Sequence, residues 1–362
     1  MASTLTLLLG DAGAGKTERL LREYRQALAR GRERRRPGTA LWLAPTHRAQ
    51  QAITTQLLES GDSVQFAPGV MTFDVFAEQI LAAAGKQATP MSPVMKRLLL
   101  RRIIADLAQR GQLVNFSSVT QTTGFLDVIS SFISELKREE IWPDEFLDAC
   151  SHQPPRRAKR DRELGLIYQK YQDHLEKQDW YDNEGRFWLA RNALNDNVRG
   201  PFANVEFLAV DGFADFTQTQ YEILGKLLTW IPEAKMTLPA EQPLTRPELF
   251  DKPRSTVEQL RKHLPPLTVI RMEQLTADRS HWPAGLRTVA ESLFTNPRKI
   301  VPSPGATGLE VIAATGQLGE FQAVALRIKR LLLRGIPASK IVVAVRSVSD
   351  SGPAWRDYLT EA

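Results

Sequence analysis

The eight residues Gly10-Asp-Ala-Gly-Ala-Gly-Lys-Thr17 constrain this chain more than any other stretch of it. They follow the short apolar run Thr4-Leu-Thr-Leu-Leu-Leu9, which has β character, and they precede helical spacing over residues 18–29. Strand, glycine turn and helix in that order form a phosphate cradle. Glycines let the backbone come close to phosphate oxygens, successive N–H groups point inward, and the helix start adds its positive dipole end. The bare pattern arises by chance in on the order of one in a hundred chains of this size. In this reading Gly10, Gly13, Ala14 and Gly15 wrap the triphosphate of ATP, Lys16 reaches its β and γ phosphates, and Thr17 offers a hydroxyl to Mg2+. A glycine turn without a ligand is the alternative.

The segments that follow repeat the alternation. Ala40-Leu-Trp-Leu-Ala44 reads as a second buried strand with a helix over 48–59, and Val70-Met-Thr-Phe73 opens a third unit whose helix, 74–84, has Asp74 placed to cap it. Such alternation predicts an α/β fold with a parallel sheet covered on both faces. From about Pro93 to Ala193 the pattern becomes wholly helical, over 95–109, 123–137 and 162–177, which reads as an insertion. Strand character returns at 205–210 and 235–238, with a helix over 219–228 between them. A proline-bearing stretch, 282–305, reads as a linker, and beyond it come a strand (309–313), a helix (320–334), a strand (341–345) and a last helix ending at Ala362. The expected division is a discontinuous first domain, 1–90 and 202–300, an inserted helical domain, 91–201, and the beginning of a second parallel domain, 306–362. The last is too short to finish such a domain, so the chain reads as a fragment or as one completed by a partner.

A second carboxylate-bearing strand end completes the chemistry. Val205-Glu-Phe-Leu-Ala-Val-Asp211 is an apolar strand ending in an acid, the arrangement that holds Mg2+ from the side opposite Thr17. Lys16 and Asp211 are therefore the candidate catalytic residues, and a turn residue before a glycine is the other reading of Asp211. The next position, where a water-activating glutamate would stand, is Gly212, and loss of a general base costs roughly 10² to 10⁴ in rate. Asp215 is not expected to replace it.

Composition sets outer bounds. A chain of 362 residues with 43% hydrophobic and 24% charged residues predicts two or more packed units, and no apolar run approaches the ~20 residues that span a bilayer, so no membrane contact and a cytoplasmic location are expected. The lone Cys150 excludes an internal disulfide and any metal site needing several cysteines. A net charge of +6 favours polyanionic partners. The most basic run, Pro154-Pro-Arg-Arg-Ala-Lys-Arg-Asp-Arg162, reads either as a phosphate contact or as a solvated loop and helix start.

In the order of these elements the sequence resembles the UvrD/Rep-like superfamily 1 helicase fold and, within it, the AddB/RexB-type subunits of ATP-dependent nucleases. The resemblance is carried by the glycine turn close to the N-terminus, by Leu43-Ala-Pro-Thr-His47 and Met71-Thr-Phe73, and by Phe132-Ile-Ser-Glu-Leu-Lys137 and Trp180-Tyr-Asp-Asn-Glu184. Val210-Asp-Gly-Phe213 with Phe216-Thr and Gln220, then Gly319-Glu320 and Ile341-Val-Val-Ala-Val-Arg346, continue it. It implies a P-loop RecA-like parallel sheet with a large helical insertion and the beginning of a second RecA-like domain. It also implies ATP and Mg2+ as cofactors, a role in DNA double-strand-break repair, single-stranded or end-containing DNA as a partner, and a helicase-nuclease partner subunit. Thr46, His47, Thr72 and Phe73 would contact DNA, with Phe73 able to stack on a base, and Arg346 would meet an ATP phosphate. The upstream glutamine motif, the later helicase motifs, the second arginine of the ATP site and the nuclease region with its cysteines are not found in this sequence. ATP hydrolysis is therefore expected to be weak or absent in this chain alone. A non-catalytic P-loop scaffold that docks on a motor partner and guides DNA is the alternative, and a P-loop kinase is disfavoured by the helical insertion.

Overall fold

The apolar runs of the sequence lie side by side and point the same way. In the computed structural model, which describes residues 3–59, 69–85, 88–300 and 302–361, two compact units divide the chain at 278/279. The first unit contains Thr4–Gly10 (β1), Ala40–Ala44 (β2), Val70–Thr72 (β3), Thr89–Pro90 (β4), Trp180–Tyr181 (β5), Phe207–Val210 (β6), Glu233–Pro239 (β7) and Val269–Gln274 (β8). Six of them form one sheet in the order β3-β2-β6-β7-β1-β8, with every pairing parallel.

Period-two alternation sorts the side chains between the two faces. Leu41 and Leu43 of β2 join Leu5, Leu7, Leu208 and Val210 in one core. Ala40, Trp42 and Ala44 join Leu8, Phe207 and Ala209 in the other, beneath Leu20 and Tyr24 of helix Lys16–Glu33 and Ile53 and Leu57 of helix His47–Glu59. Since both faces are buried, β2 and β6 read as unbroken apolar runs. β8 escapes that pattern. Its sequence Val-Ile-Arg-Met-Glu-Gln is mostly exposed because it forms the sheet edge and pairs with β1 alone, so the sequence carries no strand signal there.

Helix Phe73–Ala83 corrects one expectation. Its start is capped by Thr72, whose hydroxyl accepts from the Val75 amide at 3.3 Å, while Asp74 turns outward to an ion pair with Arg186 at 3.1 Å. Among the described residues between Phe73–Ala83 and β6, the regular elements are helices apart from the two-residue ladder of β4 with β5; the long ones are Pro93–Gln109, Thr123–Arg138, Pro143–Ser151, Pro155–Gln178 and Asn183–Asn195. The basic run forms the start of helix Pro155–Gln178, with Pro154 at its N-cap position. Leu100, Ile104, Ile133, Ile167 and Tyr168 fill the core of this part. Helix Asn183–Asn195 ties it to the sheet: Ala190, Ala193 and Leu194 enter the sheet's core, and Arg191 joins Glu140 at 2.7 Å and Glu222 at 2.7 Å.

In the second unit, helices Ala284–Ser292, Gly316–Leu333 and Val348–Glu361 are present, so the expected linker contains a helix; Val301 and Ala362 lie outside the described residues. Phe321 packs against Trp355, ring centroids 4.4 Å apart. The strands expected at 309–313 and 341–345 do not form. Val311 is 95% exposed and Val342 69%, and among the described residues neither segment has a ladder partner to take its backbone N–H and C=O groups. No described helix is long and apolar enough to cross a membrane.

The helical part is pinned by a buried ion pair. Lys137 Nζ lies 2.7 Å from Asp182 Oδ1, and Asp182 also accepts from the Tyr171 hydroxyl at 2.9 Å and the Gly185 amide at 2.9 Å. Burial pushes the Asp182 carboxyl up, but Lys137, Lys96 and the Gly185 amide together outweigh it and hold the group below the usual carboxylate range. Lys137→Ala, by leaving that carboxylate unpaired, is expected to cost about 3–5 kcal/mol in urea denaturation. The lowered native pKa of Asp182 also predicts that stability falls with acidification, as pH drops below the ordinary aspartate range and through that lowered value.

Candidate functional site

Parallel strands leave all their C-terminal ends on one rim, and the candidate residues of the first unit gather there. β1 ends in Gly10, and the turn closes with Gly15, which sits in the left-handed region at φ 72° and caps helix Lys16–Glu33. A side chain at Gly15 would meet strain from the backbone conformation, although the space around it is open. Gly15 supplies no side-chain cap, so the first amides of the helix get no bond from that position and face the turn as donors. The Arg19 amide is the first to close on the turn, bonding the Gly15 carbonyl at 2.9 Å.

Lys16 folds back over the turn, donating to the Gly10 carbonyl at 2.8 Å and the Asp11 carbonyl at 2.7 Å. Thr17, beside it, donates to Asp211 Oδ1 at 3.0 Å across 194 positions of sequence. Asp211 stands just past β6, two strands away from β1, and the intervening β7 bridges the gap. Thr237 of β7 donates to the same Asp211 oxygen at 2.6 Å and accepts from the Gly212 amide at 3.2 Å. Thr237 is the member of this cluster that the sequence reading missed; its only signal was a hydroxyl in the otherwise apolar Met236-Thr-Leu238.

Electrostatics mark this cluster as incomplete. Burial pulls the Lys16 ammonium below the usual lysine range, with Asp11 and Asp211 drawing it only part of the way back. Burial likewise pushes the Asp211 carboxyl up, against the opposing bonds from Thr237 and Thr17, the Lys16 charge and the Gly212 amide. Each charge is thus under-compensated by the protein itself. An open cavity of about 670 Å³ adjoins it, lined by Gly13, Ala14, Gly15, Lys16, Thr17 and, farther out, Arg25 and Gln56. That volume is within the range of small-molecule sites.

The remaining candidates lie outside this hydrogen-bonded cluster. Thr46 and His47 are exposed at the start of helix His47–Glu59, where Thr46 accepts from the Ala49 amide at 3.2 Å and His47 meets Gln50 at 3.1 Å. Thr72 is buried and engaged as a helix cap. Phe73, expected to offer a ring for base stacking, is 3% exposed, with the rings of Phe76, Phe187 and Phe213 within 6.2 Å. Its contribution is to the core, because packing already occupies the ring. Arg346 is exposed on the second unit. Asp215 is exposed and paired with Lys252 at 2.9 Å.

The raised Asp211 pKa sets the sign of a pH effect. Below the ordinary aspartate range both folded and unfolded chains hold the proton; as pH rises, the unfolded chain ionises first and the folded state loses stability until pH passes the native pKa. Asp211→Asn is therefore expected to melt above wild type at pH 7 without ligand, with the difference shrinking toward pH 4, as followed by circular dichroism.

Comparison with known proteins agrees over most of the chain. A family model described as "ADDB, N-terminal" matches residues 7–279. Proteins named as the B subunit of an ATP-dependent helicase/deoxyribonuclease are similar along nearly the full length. That of Listeria innocua is 23% identical over 355 residues, covering 96% of this chain and 30% of the relative. That of a Thermoanaerobacter species is 25% identical over 355 residues (95% and 30%), and that of Geobacillus thermodenitrificans 26% over 375 residues (98% and 31%). The chain thus spans about 30% of the length of these curated relatives. With a glycine turn, a facing carboxylate and a family match that reaches all six strands of the parallel sheet, the chain belongs to the AddB N-terminal family.

Proposed function

We propose that this chain is the ATP-binding, helicase-like region of a DNA double-strand-break repair helicase-nuclease subunit, working with a partner subunit and contacting single-stranded DNA. The observation that carries the reading is the convergence of Lys16 and Thr17, at the helix start that follows β1, with Asp211, just past β6, in one under-compensated charge cluster beside an open cavity. A magnesium triphosphate supplies what each lacks: phosphate negative charge for Lys16 and a cation for Asp211. One hydroxyl and one carboxylate suit Mg2+, which takes its remaining oxygens from phosphate and water. In this reading Lys16 exchanges the Gly10 and Asp11 carbonyls for phosphate, Thr17 and Asp211 hold the metal, and Thr237 keeps Asp211 in position. The parallel sheet with its glycine turn after β1 supports a RecA-like first domain, with 91–201 inserted, 306–362 opening a second, and Arg346 there meeting phosphate. Thr46 and His47, exposed on the same rim, are the DNA contacts best supported by their position.

Hydrolysis is weak or absent in this reading, for a conformational reason. Gly212 has φ 81°, a value that favours glycine, so the backbone as well as the composition opposes a glutamate beside Asp211. The same feature favours the second reading, in which nucleotide binding rigidifies a scaffold that docks on a motor partner and guides DNA.

Titration calorimetry with Mg-ATP is expected to give saturable heat for the wild type and none for Lys16→Ala. Thermal stability should rise by about 2.7 kcal/mol equivalent at a hundredfold excess over Kd, only in the wild type. Single-turnover assays with saturating single-stranded DNA separate the two readings. Turnover above the Lys16→Ala control supports a motor, and its absence with intact binding supports the scaffold. A wild type that takes up no Mg-ATP rejects both.

A further inference from the structure

The start of helix Pro155–Gln178 breaks the usual charge rule for a helix N-terminus. Its first turn holds no acidic residue and Pro154 makes no side-chain cap. Arg156, Arg157, Lys159, Arg160 and Arg162 nevertheless crowd the end where the backbone dipole is already positive, with Asp161 as the lone acid among them. Arg160 pairs with Asp161 at 3.0 Å, and among the described residues no ion pair engages Arg156, Arg157, Lys159 or Arg162. Local rules broken in this way are expected where an outside partner supplies the compensation.

An apolar groove lies against the same helix. Arg160 and Leu164, one turn apart, line a cavity of about 390 Å³ whose other walls include Phe116, Phe125, Val128 and Phe132. Phe116 and Phe125 pair at 5.1 Å and Phe132 rests on Phe146 at 5.3 Å, so the aromatic walls are held by further rings. Val128 is 65% exposed. Arg156 and Arg157 precede Arg160 by one helical turn, which puts them on the same face and extends the groove into a cationic ramp.

We propose that this groove docks an amphipathic helix of a partner protein, one that presents aliphatic side chains to the phenylalanine-lined floor and carboxylates to Arg156, Arg157 and Arg160. Aliphatic groups need no hydrogen bonds from an apolar lining, whereas nucleobases would bring polar edges that it leaves unsatisfied. Charge supplies the orientation, since the guanidinium groups of Arg156 and Arg157, in no ion pair among the described residues, and a helix N-terminus both select anions. The volume suits the side-chain tips of one helix spaced by single turns. The surface stands apart from the nucleotide cluster and does not rest on the function proposed for it.

The test uses the full chain with fluorescein-labelled helical peptides: one carrying leucines along one face flanked by glutamates, and a twin with lysine for every glutamate. Fluorescence anisotropy should show the acidic peptide binding at least about tenfold tighter than the basic twin. Val128→Glu, which puts a carboxylate in the groove at an exposed helix position, should weaken it by a similar factor with the melting temperature unchanged. The Arg156→Glu, Arg157→Glu pair should do the same and serves as the readout should Val128→Glu fail to fold. Equal binding of both peptides, no binding of either, or affinity indifferent to these substitutions overturns the proposal. Retention of labelled oligo(dT) that is lost in Val128→Glu, without peptide binding, overturns it in favour of a nucleic-acid groove.

Discussion

Parallel pairing throughout the six-stranded sheet is the constraint from which the site follows. When every strand runs the same way, every C-terminal end opens on one rim, so residues far apart in sequence meet without any long loop to carry them. Gly10, Thr46, Thr72, Asp211 and Pro239 all stand at such ends or just past them. The register sets the finer placement: Leu8 of β1 and Val210 of β6 flank Thr237 and Met236 of β7, which puts the β7 hydroxyl between the glycine turn and the carboxylate. A slip of one residue in β7 would turn that hydroxyl to the opposite face.

Two buried charge clusters illustrate different uses of the same chemistry. Around Asp182, a lysine, a tyrosine hydroxyl and a backbone amide satisfy the carboxylate within the protein, and it stays ionised. Around Asp211, two hydroxyls, one amide and a more distant lysine fall short, and burial prevails. The first arrangement is complete as it stands. The second leaves a buried carboxylate that the protein itself does not fully compensate, which costs stability at neutral pH.

Much of this was legible in the sequence where burial was complete. The five-residue β2, buried along its whole length, and the run into Asp211 carry an apolar signal strong enough to stand alone, and the glycine turn announces its own geometry. The signal fails where the environment is mixed. β8 mixes arginine, methionine and glutamate because one edge of it faces solvent, and the apolar segments at 309–313 and 341–345 look like strands but lack a ladder to join. Side-chain roles were harder still. Nothing in Met71-Thr-Phe73 distinguishes a threonine that caps a helix, or a phenylalanine locked among other rings, from residues free to meet a ligand. Packing decides that, and packing is a property of the folded neighbours.

Helix Asn183–Asn195 gives the first unit a mechanical property. Arg186 grips Asp74 at 3.1 Å and Glu78 at 2.5 Å on the helix that begins at the β3 end of the rim, and Arg191 grips Glu140 and Glu222 on the far side. The helical part is therefore lashed at two points to elements that leave the same sheet edge as the glycine turn. Separating the helical part from that rim would therefore require both ion-pair clusters to break together.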